Sequence, residues 1–360
     1  MDYKEGSLKK LVVHVITRGD VGGAQTSLLN YVEALSADFD QQVFIGGEDG
    51  FLASQLDKIK ISNFKTNFKS IKSIARLYSH FRLFAKDNPP TIMTHSFIAS
   101  SIVRLLLIGS GIKIIYVVHG FVGNPSIRTS RRIIGVCIEK FLNRSVDKYI
   151  TITNYEKFLV QKYLKREAIV IPNTTKLPKK MQRSEKKIKK IVCLSRFSQP
   201  KLNLLIVKSF FSSILFNDSN YELLFFGLGS DLDKCKEITK HIEANIKYHE
   251  PVSDISPVVA SASSVILMSK HEGLPMTLLE ALSNDTPIIC SSIPELTELF
   301  KDTSEVNIRF CNNDVRSLTD VFNSYDEWIA SIENGKNKKY FIKTFENKQI
   351  KKLIVDAVKN

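Results

Sequence analysis

Short apolar runs in this chain alternate with longer amphipathic stretches; the pattern pauses once near the middle and then begins again. Residues 11–16 read Leu-Val-Val-His-Val-Ile, an almost unbroken β-branched run of the kind buried on both faces of a parallel sheet. A glycine-containing loop at 19–23, an amphipathic helix at 24–36 and a strand at 42–46 follow. Strands at 92–94, 114–118 and 148–153 continue the series with helical stretches between them, and residues 170–173 close the first half. The pattern restarts with a strand at 191–194, a helix at 202–213, a strand at 221–226, a helix at 232–243, a strand at 246–249 and a helix at 255–261. Strands at 264–268 and 287–290 end it. Alternation of this kind requires parallel strands joined by right-handed crossovers. The expected fold is α/β, with two doubly wound, Rossmann-like domains facing each other across a cleft. The expected division is 1–175 and 176–339, with a basic linker at 176–190 and a C-terminal helix at about 340–360, its last helical stretch at 347–358, packing back on the first domain.

Composition narrows the function classes. An apolar content of 43% and a charged content of 24% are those of a globular protein with real cores. Residues 1–10 are polar and Arg18 interrupts the apolar run that follows, so no signal-peptide pattern is present. The apolar stretch at 97–115 carries Arg104 and Lys113 and does not read as a membrane span. Cys137, Cys193, Cys235, Cys290 and Cys311 are scattered without metal-binding spacing, as free thiols of a cytoplasmic protein would be. The net charge of +14 concentrates at 176–190, at 65–86 among Phe68, Ile71, Leu77 and Phe81, and at Arg128, Arg131 and Arg132 before Ile133, Ile134, Val136 and Phe141. Basic and apolar residues mixed at helical spacing fit peripheral docking on an anionic membrane, although an ordinary amphipathic helix reads the same way. No nucleic-acid-binding motif accompanies the charge, so nucleic acid is not an expected partner.

The segment Lys270-His271-Glu272-Gly273-Leu274-Pro275-Met276-Thr277-Leu278-Leu279-Glu280 carries the most chemistry. Pro275 suits a helix start, and the residues after it are good helix formers. Glu272 therefore sits in the loop before a helix and Glu280 more than a turn inside it. Free N–H groups at such a start attract phosphate. Carboxylates on either side can accept hydrogen bonds from sugar hydroxyls. Taken alone, two glutamates are a helix-start acid and a surface residue. The strands on both sides raise the segment above that, because strand–loop–helix–strand is where doubly wound sheets bind ligands.

Other segments join it. In Leu194-Ser195-Arg196-Phe197-Ser198-Gln199-Pro200-Lys201, Arg196 follows a strand and Lys201 comes five residues later, two cations able to clamp a diphosphate. Gly22-Gly23-Ala24-Gln25 lies at the first strand-to-helix turn, where paired glycines allow close backbone approach. His119 ends the strand 114–118, just before Gly120, and His95 follows the strand at 92–94 on the expected acceptor side. Asp231-Leu232-Asp233 has metal-binding spacing, but its place at a helix start reads better as a cap, so no metal is expected.

The order of these segments resembles glycosyltransferase family 4, whose fold is GT-B. The resemblance implies that Glu272 contacts the donor sugar and Glu280 the ribose, with the backbone of Gly273, Leu274, Pro275 and Met276 against sugar and diphosphate. It implies that Arg196 and Lys201, with Ser195 beside them, stabilise the departing diphosphate, that Gly22 and Gly23 lie by the donor phosphates, with Gln25 of the same loop on the acceptor side, and that His119 reaches the reacting sugar. Ser195 stands where the family usually has glycine, and Leu202 replaces another. The implied reaction is transfer of a sugar, with retention, from a nucleotide-diphosphate donor, a UDP-sugar, to a hydroxyl of a glycan or lipid-linked oligosaccharide of a capsule, O-antigen or similar polysaccharide. A GT-B sugar-nucleotide epimerase and a non-catalytic anion-binding protein are the alternatives.

Overall fold

The computed structural model describes residues 9–47, 50–84, 89–178, 188–240, 245–252 and 254–359. Most of the expected basic linker, the Lys86 end of the 65–86 stretch and the last residues of the helix expected at 232–243 lie outside these. The chain divides into two compact units: Met1–Asn173 with Lys348–Asn360, and Thr174–Asn347.

The first unit is built on seven parallel strands: β1 Leu11–Ile16, β2 Asp40–Gly46, β3 Ser62–Thr66, β4 Thr91–Thr94, β5 Ile114–Val118, β6 Lys148–Thr151 and β7 Ala168–Val170. Their order is β3-β2-β1-β4-β5-β6-β7. The central strands β4 and β5 are buried at every position, as helices on both faces require. The second unit repeats the design with β8 Lys189–Leu194, β9 Tyr221–Phe226, β10 Ile246–His249, β11 Ser264–Leu267, β12 Ile288–Ser291 and β13 Ile308–Cys311. Its order is β10-β9-β8-β11-β12-β13. In both sheets the strand order reverses next to the first strand, between β1 and β4 and between β8 and β11.

Two strands were not expected from the sequence, β3 and β13, and both are edge strands. Only Thr66 of β3 and Cys311 of β13 are buried. An edge strand covered on few sides has no continuous apolar run to betray it. The strand expected at 148–153 stops at Thr151 because the Thr153 side chain accepts from the Glu156 N–H at 3.2 Å and caps the helix Asn154–Leu164.

The C-terminal region holds two helices across 340–360, and the second keeps, to within a residue, the bounds expected for the last helical stretch, 347–358. The helix Lys336–Phe345 stays with the second unit, where Phe341 and Phe345 are buried and the Asp285 carboxylate accepts from the Asn337 N–H at 3.1 Å. Glu346 leaves helical geometry at φ −57°, ψ 127°, and a new helix, Asn347–Lys359, begins. Its Ile350, Ile354, Ala357 and Val358 pack with Val12, Met93, Ile115 and Ile150 of the first unit. Lys148 and Lys113 donate to the carbonyls of Ala357 (2.7 Å) and Val358 (3.3 Å), satisfying the helix end.

Candidate functional site

The loops after β8 and β11 meet at the second unit's switch point. Lys201 pairs with Ser269 in an antiparallel bridge. The Leu202 N–H donates to the Met268 carbonyl, and the Lys270 N–H to that of Pro200, both at 3.0 Å. This stitching brings Lys201 Nζ to 2.5 Å from Glu272 Oε1, with the two side chains 15% and 11% exposed. An ion pair so enclosed is a short, charge-assisted bond. Arg196 lies in the same loop with its side chain exposed. Its carbonyl accepts from Asn203 Nδ2 at 3.1 Å, and the Ser195 hydroxyl donates to Asn203 Oδ1 at 2.8 Å. Asn203, at the start of the helix Asn203–Phe211, thus shapes the turn that carries Ser195 and Arg196.

The loop after β9 supports that turn from the other side. The Ser195 N–H donates to the Phe226 carbonyl at 3.2 Å, and the Phe197 N–H to that of Leu228 at 2.8 Å. A Cβ on Gly227, whose φ is +155°, would lie 2.1 Å from the Ser195 carbonyl oxygen, so only glycine fits there. Asp231 occupies the N-cap position of the helix Leu232–Thr239, but its side chain caps nothing. It pairs with Lys234 at 3.0 Å instead. Among the described residues no group of three His, Cys, Asp or Glu side chains is placed to hold a metal ion.

The helix Met276–Ser283 starts one residue after Pro275, and the Thr277 hydroxyl donates to the Leu194 carbonyl at 3.1 Å, pinning the helix start to the end of β8. Leu274 is buried and anchors the loop that carries Gly273. Glu280 accepts a hydrogen bond from the Thr175 hydroxyl. Burial pushes the Glu280 carboxyl up from its ordinary pKa, against the effect of that bond. Burial likewise holds His271 below the usual histidine range, opposed by Glu272 and Glu295. Ser195, Arg196, Lys201, Glu272, Gly273, Leu274, Pro275, Met276 and Glu280 therefore share one end of the second sheet. Thr175, Asn203 and Thr277, which hold them, gave no sequence signal beyond being small and polar.

Gly22, Gly23, Gln25, His95 and His119 belong to the first unit. Gly22 precedes the helix Gly23–Leu35 in extended geometry, and a Cβ there would meet only the Gln25 side chain. Gln25 Nε2 donates to the Arg18 carbonyl at 3.0 Å and closes the loop. His95, expected to line the acceptor side, has no exposed surface and lies between two other imidazoles. Its Nε2 is 3.0 Å from His14 Nδ1, and its Nδ1 is 3.4 Å from His119 Nε2. His14 Nε2 in turn is 3.1 Å from Gln41 Oε1. Burial lowers the pKa of His14 and of His119 to about 4, and burial with both neighbouring rings holds His95 well below the usual range. All three are neutral at pH 7. Neither His14 nor Gln41 was singled out by sequence.

The basic–apolar segments differ from one another. In the helix Ile71–Phe84, Leu77 and Phe81 point into the core while Ile71 is exposed, an ordinary amphipathic arrangement. The helix Thr129–Phe141 exposes Ile133, Ile134 and Phe141 at 56%, 61% and 76%, beside Arg131 and Lys140, while Val136, expected in the same patch, is buried. Its inner face is fixed by Glu139, which binds Arg104 through two 2.8 Å bonds with both side chains fully buried. Among the described residues, no helix is long and apolar enough to cross a membrane.

Comparison with known proteins agrees with this architecture. Residues 21–177 match the family model described as Glycosyltransferase Family 4, and residues 188–324 that described as Glycosyl transferases group 1. The chain is 25% identical over 307 residues to the Escherichia coli UDP-Gal:alpha-D-GlcNAc-diphosphoundecaprenol alpha-1,3-galactosyltransferase, covering 78% of this chain and 79% of the relative. It is 23% identical over 324 residues to the E. coli O-antigen biosynthesis glycosyltransferase WbnH, covering 89% and 92%. Among solved structures, Anabaena Alr3699/HepE in complex with UDP and glucose superposes with a TM-score of 0.79 at 14% identity, over 97% of this chain and 99% of that one.

Proposed function

The chain is a glycosyltransferase of GT-B fold belonging to family 4, and from that premise we propose that it moves a sugar from a UDP-sugar to a hydroxyl of a lipid-linked oligosaccharide in surface-polysaccharide assembly. The observation that carries this is the Lys201–Glu272 pair at the second unit's switch point, 2.5 Å apart and largely enclosed. A sugar–diphosphate bond breaks when charge on the leaving diphosphate is stabilised. In this reading Lys201 turns from Glu272 to the diphosphate as the donor binds, Arg196 adds a second cation, and the first turn of the helix Met276–Ser283 offers N–H groups. Glu272, released, accepts from a hydroxyl of the donor sugar, and Glu280 exchanges its Thr175 partner for the ribose. His119 serves the reacting sugar.

Two cations and a helix start supply the electrostatics, so the proposed reaction needs no divalent ion and should survive a chelator. We assign retention by front-face attack, with a departing phosphate oxygen taking the acceptor proton. The relatives named above, one acting on a diphosphoundecaprenol-linked sugar and one in O-antigen assembly, support the class of acceptor. The exposed apolar and basic face of the helix Thr129–Phe141 supports work at an anionic membrane surface.

The test is incubation with UDP-sugars, with and without a lipid-linked acceptor. Acceptor-dependent release of UDP with the anomeric configuration kept is the expected result. Conversion of the donor without an acceptor would make the protein an epimerase, and binding without turnover an anion-binding protein. Failure of Ile134→Glu/Phe141→Glu to weaken binding to anionic liposomes would remove the membrane element.

A further inference from the structure

Gln41, His14, His95 and His119 form one line of hydrogen bonds running from β2 across β1 to the ends of β4 and β5. The order of its protons can be read from the closed end. Gln41 Nε2 donates to the Val32 carbonyl at 2.9 Å, which turns Oε1 toward His14. An amide oxygen only accepts, so His14 carries its proton on Nε2. A neutral His14 then has only a lone pair on Nδ1, and His95 must donate to it from its own Nε2 at 3.0 Å. By the same rule His95 Nδ1 accepts from His119 Nε2–H at 3.4 Å. The last ring is left with a lone pair on Nδ1, an atom with no hydrogen-bond partner among the described residues. That atom is itself buried, an unsatisfied acceptor at the strand tip, and the next residue, Gly120 at φ +129°, is exposed with no heavy atom within 4 Å of where a Cβ would stand.

We infer that Gln41 and His14 are positioning residues for the transfer reaction: they hold His119 as the Nε2–H tautomer, so that its Nδ1 accepts a hydrogen bond from a hydroxyl of a sugar substrate. The inference rests on the reading of the chain as a sugar-transferring enzyme. The line is not a proton wire, because the amide at its closed end has no site for a proton. It is a device for choosing a tautomer, in the way that the second nitrogen of a metal-bound histidine is fixed by its partner. The groups facing it are Gln41 from β2 and Tyr31 from the helix Gly23–Leu35, whose ring lies edge-on 5.4 Å from that of His95. Burial pushes the Tyr31 hydroxyl well above its ordinary pKa, so it stays neutral. No carboxylate or ammonium group contributes to the depressed pKa of any of the three imidazoles.

Gln41→Glu tests this in the full-length protein. A glutamate still accepts from His14 Nε2–H; it withdraws the donor that Gln41 Nε2 gave the Val32 carbonyl, and once ionised its charge stabilises the His14 imidazolium. A doubly protonated His14 donates from Nδ1, which forces His95 and then His119 to reverse, leaving His119 with its proton on Nδ1. In wild type, ¹⁵N-histidine NMR should show His119 protonated on Nε2 throughout pH 6–8. In Gln41→Glu the His119 tautomer should invert on the acid side, and kcat/KM should fall at least tenfold there and recover at higher pH. Whether the KM of donor or of acceptor rises tells which sugar supplies the hydroxyl. A uniform loss of activity at every pH, with no tautomer change, would reduce the line to a structural role and overturn the inference. So would finding the wild-type proton on His119 Nδ1. The spectra are recorded without substrate, so a failure to transfer any sugar sinks the proposed function while leaving the proton order to be judged separately.

Discussion

Lys201→Met separates the architectural role of the enclosed ion pair from its proposed chemical one. Removing one partner of a fully buried pair costs about 3–5 kcal/mol, because the other charge is left without compensation. Here Glu272 is 11% exposed and Lys201 15%, so water relieves part of the penalty, and a loss of about 2–3 kcal/mol is expected. The donor reaction loses more than stability. One cation withdrawn from a developing diphosphate charge is worth about 3 kcal/mol, roughly a hundredfold in rate. The double variant Lys201→Met/Glu272→Gln removes both charges, and replacing an enclosed pair by uncharged groups is close to neutral. Urea unfolding should therefore show the double variant within about 1 kcal/mol of wild type. Its transfer rate should stay at least a hundredfold down, about the cost of one lost cation. Recovery of activity together with stability would refute the reasoning, since the pair would then serve only to join the loops after β8 and β11. Activity in Lys201→Met within about threefold of wild type, less than 1 kcal/mol of barrier, would refute it equally.

Three further outcomes follow from the same structure. Glu280→Gln removes a carboxylate whose ionisation burial already opposes, so unfolding stability should hold or rise slightly while UDP-sugar affinity by calorimetry falls about ten- to a hundredfold, the worth of a hydrogen bond to a charged group; unchanged affinity would remove Glu280 from the site. Gly227→Ala places a Cβ 2.1 Å from the Ser195 carbonyl oxygen at a φ of +155°, and thermal melting should report a loss of at least about 3 kcal/mol; a loss under about 1 kcal/mol would mean the turn yields freely. The imidazole line makes the first unit acid-sensitive. His14 has a folded pKa of about 4 against 6.5 unfolded, so the unfolded chain binds more protons between those values. Its stabilising contribution is complete above about pH 6.5 and falls away toward pH 4, by about 3 kcal/mol for this ring alone. A flat stability profile from pH 7 to 4.5 would contradict the burial of a neutral His14.

The sequence showed most clearly those elements whose burial is complete or nearly so. β1, β4, β5, β8, β11 and β12 lie inside their sheets, and each appears as a short apolar run. The edge strands β3 and β13 do not, because a strand covered by few neighbours has no reason to be apolar throughout. The site divides in the same way. His119 stands just past the end of β5, and Lys201 and Glu272 lie in the loops that follow β8 and β11, on the ligand side of a parallel sheet. Their supports left a fainter mark. Asn203 is an ordinary residue at a helix start, and Thr277 is one hydroxyl in an apolar helix.

His14 is the instructive case. It breaks an otherwise aliphatic run inside β1, and Gln41 likewise enters β2 ahead of Val43, Phe44 and Ile45. A polar side chain within a strand covered on both faces must find a hydrogen-bond partner or cost the fold a kcal/mol or more. That requirement is visible from the residues alone, but the partner's address is not, since His14 meets Gln41 across 27 positions of sequence and His95 across 81. Strand order supplies the address. With β2 on one side of β1 and β4 on the other, a polar atom on β1 has only those two neighbours within the sheet, and the structure uses both. In this sheet the buried histidine of the first strand is met by Gln41 on β2 and by His95 just past β4, and the strand that continues toward the ligand end is the one that carries its influence to the site.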